Sequence, residues 1–160
     1  MDTEIFYAPL TMADSAEFFH LTGNPRVAAT MRFDCPHTRE ESDRILADYI
    51  SGGSRCFALR FQPEGRLWGI FAFRGDPDAG TADLSQMQLP EQWGQGLGSR
   101  VLRDMVALAR RNNWYRALKC HILETNTASR RLAEKQGFHE TERHRFPGMT
   151  EDLVVYRLEL

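Results

Sequence analysis

Three glycines at alternate positions, Gly94, Gly96 and Gly98, stand in the stretch LPEQWGQGLGSRVLRDMV, and an apolar helical rhythm begins as they end. The order has a chemical consequence. The first turn of a helix carries N–H groups with no partner further up the helix, and roughly half a positive charge gathers there. Backbone without side chains lets another molecule approach those donors, which makes an anion site, most often for phosphate. A lone glycine would be read as a tight turn needing positive φ. Three of them spaced two apart, ahead of a helix bearing Arg100, Arg103, Arg110 and Arg111, point to phosphate instead.

Two familiar nucleotide loops do not fit. A Walker A loop needs GxxxxGK[ST], and no Lys follows Gly98. A dinucleotide fold needs GxGxxG after the first strand of a βαβ unit and an acid about 20 residues later. Here the spacing is GxGxG, a meander precedes it, and the following strand, ALKCHI, carries no acid.

The elements around the loop must position it. EIFYAPL reads as a first strand, and TMADSAEFFHL as a helix with Thr11 or Asp14 as N-cap. TREESDRILADYI is a second helix, in which Thr38 and Glu41 form a capping-box pattern and Ile45, Leu46 and Tyr49 an apolar face. Between them GNPRVAATMRFDCPH reads as irregular. After SGG, the segments CFALRFQ and RLWGIFAFRG form a hairpin about PEG, while DPDAG is a second turn and TADLSQMQL a third strand. Short turns make these three an antiparallel meander. The helix after the glycines turns Leu97, Val101, Leu102, Met105, Leu108 and Ala109 to the core. ALKCHIL is a strand, and NTASRRLAEK is a short helix stopped by Gly137 and Phe138 in the Schellman manner. FHETERHRF and DLVVYRLEL close as strands joined by PGMTE. The order β-αα-βββ-α-β-α-ββ predicts an α/β (α+β) fold, a mixed, mainly antiparallel seven-stranded sheet flanked by helices.

A chain of 160 residues, 42% hydrophobic and 26% charged, is expected to form one domain over 1–160. A net charge of −2 gives no reason to expect nucleic acid or an anionic membrane, and no apolar run approaches the roughly 20 residues of a bilayer span. The first ten residues carry two acids and no basic region, so a secretory signal is not expected and a cytoplasmic location is. Cys35, Cys56 and Cys120 are odd in number with no CxxC pair, which favours reduced thiols. No His/Cys cluster has zinc spacing, and no metal is expected.

With these elements in place, LPEQWGQGLGSR resembles motif A of the GNAT family of N-acetyltransferases, whose loop is written [QR]xxGx[GA]. The resemblance is closest to the RimJ/RimL-like branch that acetylates ribosomal-protein N-termini, where LPEYWGKGYATEA is typical. Trp93 stands where the wider family has Arg or Gln, and Gln95 where the branch has Lys. ETNTASRRLAEKQGF resembles the family's NxxSxrxxEKxGF segment, and FPGMTEDLVVYRLEL its closing pair of strands, with Asp152 before the last one.

The resemblance implies acetyl-CoA as acyl donor, lying in a cleft beside the strand before motif A. The backbone of Met87, Gln88 and Leu89 would pair with the pantetheine amides like an added strand, with donors near Met87 polarising the thioester carbonyl. Residues Gly94, Gln95, Gly96, Leu97, Gly98 and Ser99 would wrap the diphosphate. A neutral amine, from a protein N-terminus or a small molecule, would attack directly. Many members protonate the leaving thiolate with a Tyr; that position is Ala133 here, and Ser129 matches the serine of the ribosomal-protein branch. Asn126 would hold the cofactor or cap its helix, or both, and Arg131 is the preferred phosphate contact among Arg130, Arg131 and Lys135. Asp83 and Glu124 are the carboxylates nearest the cleft in sequence, and neither stands out as a base. Cys120 and His121 are adjacent on a strand, point to opposite faces and cannot act as a pair, so one or the other is expected in the core. Asp34 and His37 lie in the loop where the family shapes its acceptor site. A monomer or homodimer is expected. Two alternatives are an acyl-CoA-binding sensor without turnover and a nucleotide-phosphate binder.

Overall fold

Capping chemistry starts the helices. The structure is a computed structural model that describes residues 3–31, 33–75 and 79–160. Thr11 accepts from the Ala13 N–H and Asp14 reaches back to the Thr11 N–H at 2.9 Å, closing a capping box on a 3₁₀ turn at Met12–Asp14. Helix α1 follows at Ser15–Thr22; Asp14 stands at its N-cap position, but its side chain serves the preceding turn and makes no capping bond to α1. The stretch read as irregular contains a short helix, α2, at Pro25–Ala28: the Asn24 side chain accepts from Arg26 and proline takes the first helical position. Thr38 caps α3, Arg39–Ile50, by accepting from the Glu41 N–H at 3.1 Å. The Glu41 carboxylate reaches one residue further back than a capping box, to the His37 N–H at 2.7 Å. The long helix α4 is Leu97–Arg111, and α5 is Thr127–Lys135.

The strands are β1 Phe6–Pro9, β2 Arg55–Arg60, β3 Gly69–Arg74, β4 Thr81–Gln88, β5 Ala117–Leu123, β6 His139–His144 and β7 Leu153–Glu159. They form one seven-stranded sheet in the order β1-β2-β3-β4-β5-β7-β6. β4 and β5 run parallel, as a strand–helix–strand crossover requires, while β1–β2, β2–β3, β5–β7 and β6–β7 are antiparallel. The expected fold class is therefore present. Of the turn read as DPDAG, Asp76–Asp78 lies outside the described residues. β5 pairs with β7 over all its residues, yet with β4 only at Thr81↔Ala117, Ala82↔Leu118 and Asp83↔Lys119.

The chain packs as two compact units, one of residues up to Arg74 with Ser85–Gln95, the other of Gly75–Leu84 with Gly96–Leu160. In the first, α1 and α3 close on each other through Phe18 and Tyr49, whose rings meet edge to face at 6.1 Å. Phe71 and Phe73 on β3 are fully buried, with Phe57 against Phe73 and Trp68 stacked on Phe61 at 4.8 Å. In the second, α4 buries Val101, Leu102, Met105, Val106 and Ala109, with Leu108 only half-buried. α5 is fastened to β7 by polar contacts, the Arg130 Nε–H donating to the Tyr156 hydroxyl at 3.1 Å and that hydroxyl donating to Glu134 at 2.8 Å.

Two thiols are held neutral by their surroundings. Burial pushes Cys56 up from its ordinary value near 9 to about 11, against a lowering by Arg74. Burial, helped by the Asp83 charge, pushes Cys120 up to about 12. Because the folded state disfavours both thiolates, the associated stability is complete below pH 9 and is lost as pH rises through 11 and 12. Urea unfolding should show the midpoint falling between pH 9 and 11, and a Cys56→Ala/Cys120→Ala variant should lose much of that slope. Cys120 is thus a poor nucleophile.

Candidate active site

In the first unit, β4 ends against β3 so closely that no side chain fits between them. A Cβ on Gly69 would lie 2.6 Å from the Met87 carbonyl oxygen, and the Leu89 N–H donates to the Trp68 carbonyl at 2.9 Å. Backbone groups of successive strand residues point to opposite edges, so Met87 and Leu89 face β3 and Gln88 turns its N–H and C=O the other way. Of the three residues expected to pair with a pantetheine, Gln88 is the one whose backbone groups turn away from β3. Its carbonyl accepts from the Trp93 indole at 2.9 Å, and the Arg26 guanidinium lies over that indole at 4.9 Å. This gives Trp93 a role its departure from the motif concealed. Gln95 turns back to donate to the Glu91 carbonyl at 2.7 Å, and Gly94 is left-handed at φ 75°. Asp34 and His37, the acceptor-loop candidates, are exposed.

In the second unit, Gly96 is left-handed at φ 77° and caps α4 without a side-chain bond. Leu97 is buried, while Gly98 and Ser99 are half-buried and helical. The Leu97 and Ser99 N–H groups have no partner within the helix, because first-turn amides point out of its end. A Cβ at Gly94 or at Gly96 would have nothing within 4 Å. That emptiness, with amides and the positive end of a fifteen-residue helix behind Gly96, fits a diphosphate.

On α5, Asn126 is the N-cap, its side-chain oxygen accepting from the Ser129 N–H at 3.3 Å. Ser129 is half-buried and Ala133 is buried. Arg130 is tied inward, to Tyr156 and to the Glu124 carbonyl at 3.1 Å, whereas Arg131 is exposed. The Glu124 carboxylate pairs with Arg143 at 2.9 Å. The bond from the same arginine holds the Glu140 carboxyl below the usual range. Cys120 and His121, one of them expected in the core, are both half-buried. The His121 ring is not a core filler: its side chain is 22% exposed and its Nδ1 lies 3.2 Å from the Asp83 Oδ1. No local signal links these two residues; parallel pairing of β4 with β5 brings them together. Among the described residues no group of three His, Cys, Asp or Glu could hold a metal, and no helix is long and apolar enough to cross a membrane.

The seven-stranded sheet of this order and the left-handed glycine that opens its longest helix have counterparts among known proteins. The chain belongs to the GNAT acetyltransferase family: the family's acetyltransferase (GNAT) domain matches residues 5–139. The chain is an N-acetyltransferase of that family. Its fold is similar to that of spermidine N-acetyltransferase from Vibrio cholerae, solved with CoA and spermine, with a TM-score of 0.84 at 15% identity over 99% of this chain and 96% of that one. The RimL ribosomal L7/L12 alpha-N-protein acetyltransferase in complex with CoA gives 0.83 at 16% identity, covering 99% and 96%. A GNAT-family acetyltransferase from Bacillus anthracis gives 0.82 at 16%, covering 99% and 97%. No curated protein sequence matches significantly.

Proposed function

We propose that this chain transfers an acetyl group from acetyl-CoA directly to a primary amine, on a protein N-terminus or on a small molecule, as a single domain that is monomeric or dimeric. The observation that carries the reading is the space at Gly94 and Gly96, bare of side chains and backed by the α4 amides. There Gly94 to Ser99 would bind the diphosphate, with exposed Arg131 adding charge, and the Gln88 N–H would pair with the pantetheine. When bound, acetyl-CoA supplies an activated thioester; the protein orients it and offers a donor to the carbonyl oxygen as charge develops. A cytoplasmic setting agrees with Cys35, Cys56 and Cys120, all unbridged.

The acceptor's protonation sets the demand on the protein. A lysine-type amine, with pKa about 10.4, requires about 4–5 kcal/mol of deprotonation at pH 7, an α-amine near 8 only about 1 kcal/mol. Ser129, half-buried on the first turn of α5, would donate its hydroxyl proton to the departing sulfur. Ser129→Ala should lower kcat by roughly 10–100-fold with KM for acetyl-CoA little changed, as expected for an interaction made in the transition state. Steady-state kinetics measure this, and an unchanged kcat removes Ser129 from the chemistry.

The reading as a whole is tested by CoA release from acetyl-CoA with a peptide bearing a free α-amine, spermidine and lysine. The buried Ala133, where many relatives have a Tyr, favours a second reading as an acyl-CoA sensor. Tight CoA binding with no turnover on any amine would select it. Greater thermal stabilisation by ATP or NAD than by acetyl-CoA would select a nucleotide binder instead.

A further inference from the structure

We infer that the second unit carries a further ligand site, a cleft for a small aromatic carboxylate at the end of α4 opposite Gly96. The cleft encloses about 790 Å³, and every residue that lines it belongs to that unit. Such a volume suits a small molecule. The fifteen residues of α4, rising about 1.5 Å each, put roughly 20 Å between it and the glycine loop. The inference therefore goes beyond the acetyltransferase reading and does not depend on it.

Local chemistry fixes the walls. α4 ends in a Schellman stop: Asn113 is left-handed at φ 52°, its N–H donates to the Arg110 carbonyl at 3.2 Å, and the Trp114 N–H donates to Ala109 at 3.1 Å. The stop leaves Arg110 exposed on the last turn and sets Trp114, half-buried, in the wall. Across the cleft, the Arg116 N–H donates to the Gly80 carbonyl at 2.7 Å, and its Nη2 donates to the Ala79 carbonyl at 3.1 Å. A Cβ on Gly80 would lie 2.5 Å from the Arg116 Nε, so this left-handed glycine makes the room in which the guanidinium lies. The Leu160 N–H donates to the Arg116 carbonyl at 2.8 Å and closes the third side.

Charge decides the sign of the ligand. The lining holds the guanidiniums of Arg110 and Arg116 and the carboxylate of Glu159, which pairs with Arg157 outside the lining. That bond holds the Glu159 carboxyl below its usual range. The acid is thus already compensated, and the two arginines leave an excess of positive charge. The C-terminal end of α4 opposes them with about half a negative charge, which favours a monoanion over a dianion such as a phosphate ester. A guanidinium offers two parallel N–H groups that match the two oxygens of a carboxylate. Trp114, buried Tyr115 and Leu160 supply an apolar wall, and an indole face suits a flat ring.

The test titrates wild type with naphthoate and follows the indole N–H signals by NMR. Three further probes divide its chemistry: naphthamide keeps the ring without the charge, acetate the charge without the ring, and inorganic phosphate offers a higher charge. Naphthoate should bind with a Kd of about 0.1 mM and move the Trp114 signal, leaving those of Trp68 and Trp93, in the first unit, in place. The other three probes should each bind at least about tenfold more weakly. Arg110→Gln and Arg116→Gln should each weaken naphthoate about tenfold, whereas Arg103→Gln, exposed on α4 outside the cleft, should leave its Kd within about twofold. Arg116 also ties down Ala79, so Arg110→Gln decides if the other variant fails to fold. No binding at about 5 mM naphthoate, equal affinity for naphthamide or phosphate, or a Kd unmoved by Arg110→Gln overturns the assignment. Displacement of naphthoate by acetyl-CoA also overturns it, because the probe would then occupy the glycine loop. If wild type takes naphthoate as described and binds no acetyl-CoA, the acetyltransferase reading falls and the cleft stands.

Discussion

Gly96→Val should weaken acetyl-CoA binding at least about 100-fold, equivalent to roughly 2.7 kcal/mol in a calorimetric titration. Two effects act together. Gly96 sits at φ 77°, where a β-branched residue is strained by about 1–3 kcal/mol. Relief of that strain turns the loop and re-aims the α4 amides. The valine methyls also occupy the space that is open at Gly96 and that the bound diphosphate would need. Gly148→Val separates the two. Gly148 is likewise left-handed, at φ 88°, and a Cβ there also meets nothing, but it lies in the loop between β6 and β7. That variant should carry similar strain in a thermal melt and keep its acetyl-CoA affinity. Equal affinity for wild type and Gly96→Val would remove the loop from the binding site.

Gly69→Ala should produce the largest loss of stability of any single-methyl change considered, about 2–4 kcal/mol in urea unfolding. The added Cβ would meet the Met87 carbonyl oxygen at 2.6 Å and Leu59 Cδ1 at 3.2 Å. A side chain could rotate away, but a ladder carbonyl cannot, so β3 must draw off β4 and the Leu89–Trp68 hydrogen bond must lengthen. Glycine inside a strand marks such an approach of backbone to backbone. Gln88 lies between Met87 and Leu89, so acetyl-CoA affinity should fall with the stability. An unchanged urea midpoint would show that the strands have room.

What was legible in the sequence was local. Thr11, Asp14 and Thr38 act as caps because side-chain oxygens satisfy neighbouring amides whatever lies beyond. The left-handed state of Gly94 and Gly96 follows from a turn that other residues resist. The α2 helix carried its own signal, Asn24 before Pro25, but at four residues it has no apolar period to detect. Other features depend on which strands become neighbours. The edge to which Gln88 turns is set by the Leu89–Trp68 bond, and a run such as SQMQL contains no trace of it. His121 was weighed only against the adjacent Cys120, the one relation visible along the chain, whereas its partner Asp83 lies across a parallel crossover.

The indole seated on the Gln88 carbonyl has a consequence for solubility. A strand edge that offers donors and acceptors in alternation recruits any extended chain, and aggregation begins that way. At Gln88 the acceptor is already taken, so an intruding strand must first dislodge Trp93 and the arginine resting on it. A ligand that asks only for the N–H meets no such resistance. One tryptophan thereby occupies the acceptor that a foreign strand would seek at Gln88.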